Sequence, residues 1–250
     1  MKLVVTILAL LILTSCSISG FRENFISKNA DEESSCIQQS DDNLSESDSE
    51  HSQQQAEAKF SKDDWRLILV NAENPLPKDF KVNLVRVQGY PVDERIKEPL
   101  ENMINGAKND GVDLLVCYGY RTYEQSKALF EKQVNFQLSK GLKYDDAVSE
   151  ASRWVAPPGT SEHHTALALD IVTPSYQLLE HDFKNTAAAQ WMKENAHKYG
   201  FILRYPEDKQ DITGITFEPW HYRFVGKEAA EYIYKNNLCL EEFLKGENVR

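Results

Sequence analysis

His163, His164, Asp170, Glu218 and His221 are the residues of this chain whose types and spacing are best suited to chemistry. The first three belong to Ser161-Glu162-His163-His164-Thr165-Ala166-Leu167-Ala168-Leu169-Asp170, and the other two to Glu218-Pro219-Trp220-His221, about fifty residues later. Two imidazoles and a carboxylate offer three N/O ligands and leave a fourth position open, the ligand count of a catalytic zinc site. A second carboxylate beside the last imidazole, that of Glu218, is what metal-assisted hydrolysis needs as a proton acceptor. A lone histidine is more often an ordinary polar residue of a fold. Here the residues come as a set.

Their spacing constrains the elements that carry them. His163 and Asp170 are seven apart; on one helix they would share a face but lie two turns from each other, too far to share an ion. The chain must therefore bend, with His163 in a loop and Asp170 on the apolar strand after Ala166. Asp170 sits between Leu169 and Ile171, so its carboxylate needs a metal or a partner such as an arginine. Glu218 and His221 would face opposite sides of an ideal strand. Pro219 forbids a regular ladder position, and a kink there can turn both toward one centre. His163 and His164 compete for one ligand position, because neighbours in extended chain point opposite ways. His51, His181 and His197 read as solvated residues of a polar stretch, a loop and a helix surface. Arg121 follows an apolar run and the Gly119-Tyr120 turn, where a guanidinium can grip a carboxylate bidentately: a substrate's C-terminus, or a surface ion-pair partner.

The supporting elements are mixed. Trp65 to Val70 and Val82 to Val87 read as strands, and Val92 to Asn109 carries a helical stripe closed by Gly111. Leu114 to Tyr118 is a short buried strand; Thr122 caps a helix running through Leu138, and another spans about Tyr144 to Val155. Residues 166–172 are strand-like and 185–199 helical. Phe201 to Arg204, Gly214 to Phe217 and His221 to Val225 read as short strands, and 226–244 as helical. Without regular βαβ alternation, the expected class is α+β: a small, mostly antiparallel sheet flanked by helices.

That domain is expected over residues 61–250. Residues 1–16, MKLVVTILALLILTSC, join one lysine to a short apolar run ending in small residues and Cys16. This is the pattern of a secretory signal, too short for a comfortable membrane span, and it resembles a bacterial lipoprotein signal, in which the cysteine carries lipid. Residues 17–60 hold ten acidic and three basic residues, a net of −7 out of the chain's −11. With so little apolar surface they read as a flexible tether. The remaining domain is mildly acidic and offers no basic stripe, which excludes nucleic acid as a partner. The four cysteines, Cys16, Cys36, Cys117 and Cys239, show no C-x-x-C spacing, so neither a zinc finger nor a disulfide scaffold is expected.

Together these residues resemble the VanY-type D-alanyl-D-alanine carboxypeptidases and related L,D-carboxypeptidases of bacterial cell walls, zinc peptidases with a hedgehog-like fold. The pattern S-x-H-x-x-G-x-A-x-D is met by Ser161, His163, Ala168 and Asp170. E-x-W-H is met by Glu218, Trp220 and His221, and Y-R-[ST] by Tyr120-Arg121-Thr122. The resemblance covers roughly residues 65–245 and implies zinc ligands His163, Asp170 and His221, with Glu218 as catalytic base. It implies that Arg121 and Ser161 contact the carboxylate end of the substrate. Two departures stand out. Ala166 replaces the usual glycine, and the glutamine expected five residues after the arginine is Ser126, which leaves the adjacent Gln125 as the candidate contact. The expected activity is zinc-dependent removal of the C-terminal D-alanine from peptidoglycan stem peptides, by a monomer lipid-anchored outside the cytoplasmic membrane. The alternatives are an L,D-carboxypeptidase acting on tetrapeptide stems, a cell-wall endopeptidase, and a zinc-stabilised binding module without activity. Against the last, a purely structural site has no use for Glu218.

Overall fold

A computed structural model of the chain describes residues 60–77, 79–246 and 249. The expected leader, tether and Cys16 lie outside the described residues. Among those residues no helix is long and apolar enough to cross a membrane.

The central element is β4, Ala168–Val172, buried along its whole length. Its sequence, ALDIV, is apolar on both faces except at Asp170, as expected of a strand covered on both sides. Strands β3 (Leu115–Tyr118), β4, β6 (His221–Phe224) and β5 (Phe201–Leu203) form an antiparallel sheet in the order β3-β4-β6-β5. Helix α1 (Lys97–Asn109) lays Leu100, Met103 and Ala107 into the core with Val116, Leu169, Ile171, Met192 and Tyr222. Each large side chain so buried is worth roughly 1.5–3 kcal/mol of transfer free energy. Helices α2 (Tyr123–Ser139) and α3 (Tyr144–Ser152) pack through Val134, Ala147 and Ala151. Farther along lie α4 (Ala187–Asn195), α5 (Gln210–Thr213), α6 (Lys227–Lys235) and α7 (Leu240–Lys245).

The α+β class and the antiparallel sheet are as expected, and three elements differ. Trp65 to Val70 is not a strand: the Asp64 side chain accepts the Arg66 N–H and winds Trp65–Leu67 into a 3-10 turn. The helix expected from Val92 begins only at Lys97, because β1 (Leu84–Val87) and β2 (Tyr90–Asp93) form a hairpin first. Gln88 and Gly89 both adopt positive φ, 47° and 91°, the geometry of a tight two-residue hairpin turn. Residues 214–217 follow α5 as irregular chain rather than strand.

Candidate active site

Strand register brings the first two candidate ligands together. Asp170 on β4 is directly opposite His221 on β6, and opposed residues project from the same face. Asp170 Oδ1 lies 3.2 Å from His221 Nδ1. His163 arrives from a 3-10 turn, Glu162–Thr165, which ends at Ala166 with φ 57° before the chain enters β4. That left-handed residue is the bend the seven-residue spacing requires. It occupies the position where glycine would be free of strain, at a cost of about 1 kcal/mol for alanine. His163 Nε2 stands 3.4 Å from the same Asp170 oxygen.

These distances suit zinc. Tetrahedral ligands with bonds of about 2.0–2.1 Å are roughly 3.3–3.4 Å apart, and the three ligand atoms all lie within 4.8 Å of one another. Asp170 Oδ1 is buried with no hydrogen-bond partner, which is costly for a carboxylate oxygen unless a cation meets it. The Nδ1–H of His163 donates to the Gly119 carbonyl at 2.8 Å, which leaves Nε2 with a free lone pair. Gly119 is required here, since a Cβ on it would come within 2.2 Å of the Pro91 carbonyl oxygen.

Glu218 is placed by a turn. The His221 N–H donates to the Glu218 carbonyl at 3.1 Å, and Glu218 Oε2 comes within 3.5 Å of His221 Nδ1. It borders the ligand trio without joining it. Burial, with the charge of Asp170 adding to it, pushes the Glu218 carboxyl up to about 8 against the opposing effect of His221 and Arg121. Burial depresses His163 to about 4. Burial would also depress His221, but the nearby carboxylates of Asp170 and Glu162 outweigh it and raise that imidazole to about 9. Asp170 is held well below the carboxylate range: burial opposes this, and His163 and His221 overcome it. A cation at the trio takes the place of these protons.

The trio opens into a cleft of about 240 Å³ lined by Arg121, Ser161, Glu218, Tyr205 and Trp220, with Leu129 and Gln133 of α2 and Trp154 at its side. Arg121 rests over the Tyr118 ring, 4.4 Å from its centroid, with Nη2 3.9 Å from Asp170 Oδ2. Its buried Nε has no hydrogen-bond partner, so donors remain for a ligand. Ser161 precedes the 3-10 turn without capping it through its side chain. A larger cavity of about 650 Å³, between α4, β5 and α6, contains none of the ligand trio, Glu218 or Arg121.

Two sequence candidates are placed elsewhere. Gln125 does not line the cleft. Its side chain accepts the Thr122 N–H at 2.9 Å while Thr122 Oγ1 accepts the Gln125 N–H, a capping box that starts α2. Gln133, two turns on, is the glutamine that reaches the cleft. His164 turns away from the trio: its Nδ1–H donates to the Arg121 carbonyl at 2.7 Å, and Nε2 accepts from the Gly159 N–H at 3.4 Å. His164 is thus a strut beneath Arg121.

Sequence reasoning passed over a buried charge cluster behind the site. Glu162 Oε1 accepts from Arg204 Nε and Arg223 Nη1, both at 2.8 Å, and Arg204 also donates twice to Glu241. Burial alone would raise the Glu162 carboxyl, but the two guanidinium groups hold it far below its usual range. A signal was present: Arg204 and Arg223 interrupt the apolar runs Phe201-Ile202-Leu203 and Tyr222…Phe224-Val225, and an arginine at a buried strand position calls for a buried acid.

Comparison with known proteins agrees with this geometry. The family model of VanY, D-alanyl-D-alanine carboxypeptidase, matches residues 90–227. A D-alanyl-D-alanine carboxypeptidase of Enterococcus faecalis is 41% identical over 205 residues, covering 82% of this chain and 75% of the relative. A vancomycin-resistance D,D-pentapeptidase VanY, solved as a mutant with Zn(II), is 42% identical with a TM-score of 0.67, covering 72% of this chain and 99% of that one. The L,D-carboxypeptidase LdcB is 37% identical with a TM-score of 0.63, covering 73% and 86%.

Proposed function

Because the chain belongs to the VanY family of D-alanyl-D-alanine carboxypeptidases, we propose that it is a zinc D,D-carboxypeptidase that removes the C-terminal D-alanine from peptidoglycan stem peptides. One observation carries the assignment of roles: Glu218 stands 3.5 Å from a ligand nitrogen yet outside the ligand trio, in a cleft that also holds Arg121. His163, Asp170 and His221 would hold the metal. The chemistry a zinc ion supplies when bound is polarisation of the scissile carbonyl and acidification of water.

Glu218 takes the proton of the attacking water and passes it to the departing amine of D-alanine. Its place beside the ligand trio but outside it suits it to both halves of that transfer. Arg121 pairs with the substrate's terminal carboxylate, and Ser161 lines the same cleft. Gln125, engaged in the capping box, has no part in this scheme. Support for secretion and lipid attachment comes from the sequence of residues 1–16 and Cys16. We accordingly place the enzyme outside the cytoplasmic membrane, as a lipid-anchored monomer on its acidic tether.

Mass spectrometry after incubation with stem pentapeptides and tetrapeptides tests this reading. The pentapeptide should lose one D-alanine; exclusive loss from the tetrapeptide would make the enzyme an L,D-carboxypeptidase. Arg121→Ala should lower kcat/KM roughly ten- to a hundredfold on free C-termini, the worth of one charge-assisted contact. Amidating the substrate should cost the wild type a similar factor and the variant little more. Equal cleavage of amidated and free peptides by the wild type would indicate an endopeptidase.

A further inference from the structure

The two histidine ligands present different nitrogens to the metal position. His163 offers Nε2, because its Nδ1–H is committed to the Gly119 carbonyl. His221 offers Nδ1, the atom facing Asp170 and Glu218. For Nδ1 to carry a free lone pair, the proton of a neutral His221 must sit on Nε2. That Nε2 is buried and has no hydrogen-bond partner. The nearest anionic atom is Glu162 Oε2 at 3.9 Å, itself buried and without a hydrogen-bond partner. Each is the unclaimed counterpart of the other, and a shift of about 0.7 Å brings the pair within the range of an N–H···O hydrogen bond.

The rest of the cluster explains why Oε2 is available. Glu162 Oε1 takes both guanidinium donors. Arg204 is held from behind by Glu241 on α7, and Arg223 is held by the carbonyls of Arg66 and Ile68. Four buried charges thus balance in pairs, with one carboxylate oxygen left over, directed at a metal ligand. Arg66, Ile68 and Glu241 lie outside the 90–227 segment that the family model matches.

We propose that Glu162 is a positioning residue: its Oε2 receives the Nε2–H of His221, fixing the tautomer that leaves Nδ1 for zinc. A carboxylate behind a ligating imidazole orients the ring and raises its basicity. The inference rests on the zinc reading of the site.

Glu162→Gln is the informative change. The two arginine donors claim the amide oxygen, so the NH2 group must face Nε2, donor against donor. The proton is then driven to Nδ1, where it blocks the metal. Zinc affinity, measured by competition with a chelator, should fall roughly 10–100-fold. In nitrogen-15 spectra of the zinc-loaded wild type, His221 should carry its proton on Nε2. A wild type whose zinc sits on Nε2 of His221, or a folded Glu162→Gln that binds zinc as tightly as wild type, overturns the proposal while the zinc reading stands. A wild type that takes up no zinc overturns both. If Glu162→Gln does not fold, the wild-type spectrum decides alone.

Discussion

At the scale of single residues, the site separates metal binding from proton transfer, and substitution can tell them apart. Glu218→Gln should reduce hydrolysis by about 10²–10⁴-fold, the usual contribution of a general base, with zinc still near one per chain; loss of zinc would make Glu218 a ligand. The same variant has a pH signature in the metal-free protein. A carboxyl raised from 4.5 to about 8 by burial favours the fold while protonated, so its penalty begins above the ordinary value and grows as pH rises toward 8. Glutamine escapes that penalty. The melting-temperature advantage of metal-free Glu218→Gln over wild type should therefore widen from about pH 5 to pH 8, by roughly 2–4 °C per kcal/mol relieved. A constant difference would mean the buried carboxyl is not the cause. For the adjacent histidines, His163→Ala should abolish stoichiometric zinc, whereas His164→Ala should retain it. Equal loss would place His164 among the ligands, against its hydrogen bonds to Arg121 and Gly159.

At the scale of elements, β4 and β6 supply Asp170 and His221 as an opposed pair, and the 3-10 turn before Ala166 returns His163 to them. Helix α2 forms a side of the cleft, and its start is fixed by Thr122 and Gln125. Gln125→Ala should cost about 0.5–1 kcal/mol of stability through the lost cap and leave kcat/KM within about twofold. Gln133→Ala should do the reverse, since Gln133 lines the cleft. Activity lost in Gln125→Ala at unchanged stability would restore the substrate contact for which the family resemblance made it a candidate. This residue illustrates a limit on motif reading. A glutamine three positions after a threonine satisfies a capping box as readily as a subsite, and the choice depends on which way the first helical turn faces.

At the scale of the whole molecule, the catalytic domain and the proposed lipid attachment should be separable. If the lipid attachment holds, Cys16→Ser should release the protein from membranes or leave an uncleaved precursor, and deleting residues 20–58 should leave hydrolysis of soluble peptides unchanged, because a tether of the expected kind would alter reach rather than chemistry. Membrane fractionation with a lipid-labelling assay checks the first; a processed, membrane-bound Cys16→Ser product would remove the lipoprotein assignment.

The sequence by itself determined the α+β class, the candidate ligands, the candidate base and the bend they require, because those depend on residue type and spacing along the chain. The choice of His163 over His164 came from family resemblance, and the structure supplies its physical ground: His164 is consumed by backbone partners. Other features only the tertiary structure decided. The Gln88-Gly89 hairpin was hidden because local periodicity did not separate it from the helix that follows. The cluster of Glu162, Arg204, Arg223 and Glu241 was hidden because its members are 42, 61 and 37 residues apart along the chain. Buried charges find their partners through packing, and no local pattern records which arginine a given glutamate will meet.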